Sequence, residues 1–327
     1  MRRRTFIAGL GIAAAWPVVT RAQQPAIPVI GFLSAASTDQ IIKEFIVPFR
    51  QGLKESGFVE SQNVAVEYHG AENQPDQPDR LPALAADLVR RRVAVIVAQG
   101  ATAVRAAKDA TTTIPIVFAT GADPVASGLV ASLNRPGANV TGIATLQSEL
   151  APKRLQLLRE LIPNAARFGV LTNPAELISI IAELQAAART LGLQLVIVNA
   201  RTDGDLEMAF ATFSQQRVGA VLVGPSTFFI RRMEQLATLA VRQALPSLFG
   251  FREYALAGGL MSYGSSLDYV YHQAGIYTGR ILNGEKPTDL PVQQVTKIDL
   301  VINLKTAKAL GLTIPETLLA TADEVIQ

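Results

Sequence analysis

Apolar residues along this chain alternate between two rhythms. Short unbroken runs, at residues 27–33, 93–98, 114–119 and 220–223, have the Val/Ile/Ala character of strands buried on both faces. Between them lie longer stretches, such as 43–56, 102–110 and 206–216, with apolar positions at helical spacing. Taken in order, the first half predicts strand 27–33, helix 43–56 stopped by Gly57, and strand 63–68. A proline-punctuated loop at 75–82 follows, then helix 83–92, strand 93–98, helix 102–110, strand 114–119, helix 125–133 and strand 139–144. The rhythm then restarts. Helix 152–161, strand 167–171, helix 175–191 closed by Gly192, strand 194–198, helix 206–216, strand 220–223, helix 230–244 and strands 247–249 and 259–262 make a second half.

Strand–helix alternation in each half predicts an α/β chain with two parallel sheets, each covered by helices on both faces. Right-handed crossovers make each half a doubly wound lobe. The remainder does not begin a third. A helix at 267–282, a stop at Asn283-Gly284-Glu285-Lys286-Pro287, an extended stretch at 292–303 and a short helix at 305–310 read as returns to lobes already begun. The expected division gives lobe one residues 23–145 plus about 267–291, and lobe two residues 146–266 plus about 292–327, with a three-stranded hinge between them. No low-complexity tract or residue-level repeat interrupts the pattern.

The first 22 residues stand outside it. Met1 to Arg4 are basic, residues 6–19 are almost wholly apolar, and Thr20-Arg21-Ala22 ends on a small residue, the layout of a cleaved export signal. The apolar run is shorter than the roughly 20 residues a bilayer-spanning helix needs. Arg3-Arg4-Thr5-Phe6-Ile7 resembles a twin-arginine signal, with the general secretory route as the alternative, and cleavage is expected before Gln23. No Cys follows the run to take a lipid anchor, so the expectation is a periplasmic protein.

Cleavage would change the charge. The whole chain carries 30 Lys+Arg against 27 Asp+Glu, net +3; four of those Arg and no acid lie in residues 1–22, leaving 26 against 27. The basicity belongs to export, and no basic stripe with interleaved aromatics speaks for nucleic acid. With no Cys, thiolate chemistry, disulfides and Cys-based metal sites are excluded.

Ligands of doubly wound sheets sit beyond the carboxyl ends of the strands. Those ends offer Ser34, then Gln99, Gly100, Ala101 and Thr102, then Thr120 and Asp123 in the first half. The second half offers Asn173, Ser226, Thr227, Phe251, Arg252 and Tyr263. Helix starts of this kind present unpaired N–H groups suited to a carboxylate. Gly100 admits close backbone approach, Ser34 and Thr102 supply hydroxyls, and Asp123 suits an ammonium. Phe251 and Tyr263 suit an apolar portion, and Arg252 is a rival anion anchor paired with Glu253 at the rim. Each of these residue types is also an ordinary cap or turn former. His69 and His272 read as surface or packing residues, and no hydrolase, zinc-protease or phosphate-loop motif occurs. No cofactor or metal is expected.

Phe228-Phe229, Phe251-Arg252-Glu253-Tyr254, the run from Ala257 to Gly264, and Gln273-Ala274-Gly275-Ile276-Tyr277 together resemble one family. It is the ABC transporter substrate-binding family that includes tryptophan-type receptors. Ala22-Gln23-Gln24-Pro25, the run from Asp123 to Val130, Leu290-Pro291-Val292-Gln293-Gln294 and the run from Leu300 to Leu312 carry the resemblance across the chain. It implies a type I periplasmic-binding-protein fold, a small-molecule solute, delivery to a permease and its ATPase subunit, and a monomer without enzymatic activity. Gly224-Pro225-Ser226-Thr227 departs from the acidic residue expected before the Phe pair, which leaves open a carboxylate solute without an amine. The alternatives are an exported subunit that presents a ligand to a membrane sensor, and an α/β enzyme acting on a small acid.

Overall fold

The structure, a computed structural model, describes residues 27–36, 38, 45–71, 80–145, 147–174 and 178–327. The expected export signal and cleavage point, residues 43–44 of the first helix, residues 75–79 of the proline-punctuated loop and residues 175–177 of the long helix fall outside them. Among the described residues no helix is long and apolar enough to cross a membrane.

Two sheets carry the fold. The first contains β1 (Val29–Ser34), β2 (Ala65–Gly70), β3 (Val95–Gln99), β4 (Ile116–Thr120), β5 (Val140–Ala144) and β11 (Gln293–Gln294), in the order β11-β5-β4-β3-β1-β2, with every pairing parallel. Helices α1 (Ile46–Glu55), α2 (Arg80–Arg90) and α3 (Gly100–Ala110) connect its first four strands. β3, β4 and β5 are buried along their whole length, as strands covered by helices on both faces must be.

The second sheet contains β6 (Arg167–Thr172), β7 (Gln194–Asn199), β8 (Ala220–Val223), β9 (Ser247–Phe249), β10 (Met261–Gly264), β12 (Asp299–Asn303) and β13 (Glu324–Ile326), in the order β13-β12-β10-β9-β8-β6-β7. It is parallel except that β12 runs antiparallel to β10, a departure from the all-parallel expectation. That departure follows from its origin: β12 enters from the other sheet and not through a crossover helix. Helices α4 (Ala151–Leu161), α5 (Ile178–Leu191), α6 (Asp203–Gln215), α7 (Thr227–Ile230), α8 (Met233–Arg242) and α9 (Arg252–Leu256) accompany the second sheet.

The chain passes between the sheets three times: between β5 and α4, between β10 and α10 (Leu267–Leu282), and between β11 and β12. α10 packs on α1 of the first half, where the two backbones nearly touch. A Cβ on Gly52 would lie 2.0 Å from the His272 carbonyl oxygen, and one on Gly275 would lie 2.2 Å from that of Phe49. Only glycines permit that approach.

Some elements differ from expectation. Residues 125–133 form turns, not a helix, because Gly128 adopts φ +69° and Asp123 caps the first turn instead of starting a longer one. α2 begins before Pro82, whose missing N–H costs nothing in a first turn. The expected helix 230–244 is two helices, α7 and α8, broken at Arg231 and Arg232. Short α9, α12 (Glu316–Thr321) and β13 lie where no element was predicted, and the short helix after β12 is α11 (Leu304–Ala309).

Candidate functional site

A cavity of about 60 Å³ lies between the two halves at the carboxyl ends of their strands. β3 ends on Gln99, and α3 opens at once with Gly100 and Ala101. β4 ends on Thr120, followed by Gly121 and Ala122. Thr145 lies just past β5 on the first crossing. From the second half come Pro225, Ser226 and Thr227 after β8, Ile230 on α7, and Phe251 after β9. The first turn of α10 adds Leu267, Val270 and Tyr271. Tyr271 is held by Phe45, whose ring centroid lies 4.6 Å away.

Local conformation explains these positions. Gly100 takes φ +79°, which lets β3 turn directly into α3, and no side chain caps that helix start. The first amides of α3 therefore face the cavity with the partial positive charge of a helix N-terminus. Ser226 caps α7 by accepting from the Phe228 amide at 3.1 Å.

The halves touch across the cavity. A Cβ on Gly100 would meet Thr227 Oγ1 at 2.9 Å, and Arg231 Nη1 donates to the Ala35 carbonyl at 3.0 Å. The arrangement is a closed one.

Among the residues proposed from sequence, Gln99, Gly100, Ala101, Thr120, Ser226, Thr227 and Phe251 line this cavity together. Ser34 is wholly buried behind Gln99 and donates to its Oε1. Asn173 stands behind Ser226 and donates to its hydroxyl at 3.1 Å. Thr102 is exposed on α3 and does not line the cavity. Asp123 Oδ1 accepts from the amides of Val125 and Ala126, so it serves as a turn cap. Tyr263 does not face Phe251 across the cavity; its ring packs with the core of the second half. Arg252 is not paired with Glu253: it forms a two-pronged ion pair with Glu324 of β13, at 2.8 and 2.9 Å. Glu253 instead accepts from Ser266 Oγ and the Leu267 amide at the start of α10.

A family model described as ABC transporter substrate binding protein matches residues 26–326. The chain belongs to that family. This substrate-binding protein is 27% identical over 278 residues to the tyrosine-binding protein of Clostridioides difficile (strain R20291), covering 84% of this chain and 78% of the relative. Among solved structures, a conserved domain protein from Vibrio cholerae O1 biovar El Tor is 28% identical with a TM-score of 0.82, across 91% of this chain and 99% of the other. A Streptococcus pneumoniae ABC domain in complex with L-Trp is 24% identical with a TM-score of 0.79, over the same shares. The fold is that of the type I periplasmic binding proteins, and the family is one of binders rather than catalysts.

One feature of the substrate-binding protein had no signal in the sequence. Arg154 of α4 is completely buried beneath the hinge. Its Nε donates to the Tyr263 carbonyl at 2.7 Å, Nη1 to the Gln147 carbonyl at 3.2 Å, and Nη2 to Gln147 Oε1 and to the Gly250 carbonyl. Burial pulls the guanidinium down to about 9, still well above neutrality. Gly250 and Gly264 leave room for it: a Cβ on Gly264 would lie 1.8 Å from the Gly250 carbonyl, and one on Gly250 would lie 2.7 Å from Gln147 Oε1. The knot ties the first two crossings together directly under the cavity.

Proposed function

We infer that this protein is the extracytoplasmic receptor of an ABC importer, closing its two halves on a small carboxylate-bearing solute and handing it to a permease and its ATPase subunit. The observation that carries this reading is the cavity itself, shared by both halves at their strand ends and met by the uncapped start of α3. The tyrosine-binding relative and the L-Trp complex support a solute of amino-acid size. The apolar wall of Ile230, Phe251, Leu267, Val270 and Tyr271 suits an aromatic or aliphatic body. An enzyme would need a reactive group in that wall, and the side chains lining the cavity are hydroxyl, amide or apolar.

Solution scattering and melting with the solute recovered from native mass spectrometry form the test. Binding should shrink the radius of gyration and stabilise the fold by about 2.7 kcal/mol at 100 times the dissociation constant. The recovered solute should be chemically unchanged. A modified compound after incubation would defeat the receptor reading, and tight binding without compaction would defeat closure.

A further inference from the structure

Four polar side chains of the cavity lining, Gln99, Thr120, Thr145 and Ser226, are wired from behind, and the wiring engages an acceptor of each. Arg154 has only N–H donors, so the Gln147 amide must turn its oxygen towards it. The Gln147 amide nitrogen then faces Thr145 and donates to its Oγ1 at 3.3 Å. That leaves Thr145 its proton to give, and the one protein acceptor near it, the Thr120 carbonyl, is at the 3.5 Å limit. Ser34, anchored by the Ala36 amide at 2.9 Å, donates to Gln99 Oε1, so Gln99 keeps its NH2 group for the cavity. Ser226 Oγ accepts from both Asn173 Nδ2 and the Phe228 amide, each at 3.1 Å, which leaves only its proton to offer. Thr120 Oγ1 accepts from the Ala122 amide at 3.2 Å. All of these side chains are at least nine-tenths buried, so water does not redistribute the protons.

We propose that Arg154 and Gln147 are positioning residues that hold Thr145 as a hydrogen-bond donor, and that with the matching locks on Gln99 and Ser226 they select a carboxylate over its carboxamide. This rests on the reading of the cavity as the solute site. A carboxamide puts an NH2 group, two donors, where the acid has its second oxygen. A carboxylate brings acceptors only, and meets donors from both halves.

The experiment is calorimetry on a panel of aromatic and aliphatic acids, each with its α-amino acid and its carboxamide: 3-phenylpropanoate, L-phenylalanine and 3-phenylpropanamide form one such trio. The wild-type protein should bind a carboxylate, with or without an α-ammonium, at least tenfold more tightly than the carboxamide. Gln147→Glu keeps a partner for Arg154, so the fold survives, but its carboxylate takes the Thr145 proton. Gln147→Met removes the lock without adding charge. Both should lose about tenfold in affinity for the acid and much less for the carboxamide, with a single cooperative melting transition retained. A carboxamide binding as tightly as its acid overturns the proposal, as does an unchanged acid-to-amide ratio in both variants. Failure of the whole panel to bind overturns instead the reading of the cavity on which it rests.

Discussion

Gly100 sits where strain and contact coincide. A side chain there would hold a left-handed backbone at a cost of about 1–2 kcal/mol, and in the closed form it would also press on Thr227. Gly57, at φ +91° with nothing within 4 Å, isolates the first effect. Gly57→Ala should therefore lower the melting temperature and leave solute affinity intact, whereas Gly100→Ala should lower the melting temperature as well and weaken binding tenfold or more by calorimetry. Glu253 offers a pH test. Burial holds its carboxyl above the usual glutamate range, and its Oε2 has no hydrogen-bond partner. The folded state therefore keeps a proton that the unfolded chain releases first. Stability should fall as pH rises from the ordinary glutamate range through the raised folded value, and then level off. Glu253→Gln should be the more stable protein at pH 8, with the gap vanishing near pH 4; melting curves at the two pH values check this. Arg154→Met should cost about 3 kcal/mol or more, since it strands buried carbonyls of Tyr263, Gln147 and Gly250, and urea unfolding would measure the loss.

The crossing of α1 and α10 is the contact most sensitive to a single methyl group. Gly275→Ala would place a carbon where the Phe49 carbonyl stands, so it should destabilise by about 1–3 kcal/mol and lower the melting temperature by several degrees. The elements were legible where one rule governed them. β1, β3 and β4 announce themselves because strands buried on both faces must be apolar throughout. Residues 125–133 misled because their composition suits a helix while Gly128 breaks it. α9 and α12 were missed because helices of five and six residues leave no periodicity to read. At the cavity, strand ends could be named in advance from alternation alone. Tyr271, Leu267 and Val270 could not, since on an amphipathic helix they look like any core positions. Arg154 was hidden for a related reason: an arginine in a helix reads as surface, and its partners are mostly backbone carbonyls, which carry no sequence signal.

Across the whole molecule, a bond from Arg231, just past α7, to the Ala35 carbonyl, just past β1, joins the two halves. Arg231→Ala should shift the solute-free protein towards the open form, seen as a larger radius of gyration, and weaken binding roughly tenfold or more. The three crossings also bear on how the chain comes to be folded. The first sheet takes its outer strand from residues 293–294 and its packing helix from 267–282, while the second takes β12 and β13 from 299–326. Neither half can therefore mature on a ribosome that has delivered only its own early strands. α1 waits for a partner more than 200 residues downstream, as the Ser56 hydroxyl reaching the Ile276 carbonyl shows. Contacts so distant in sequence make for slow, late assembly. Both sheets should then acquire amide-exchange protection in one shared step after synthesis, and the nascent chain should stay unstructured and threadable until its last strands arrive.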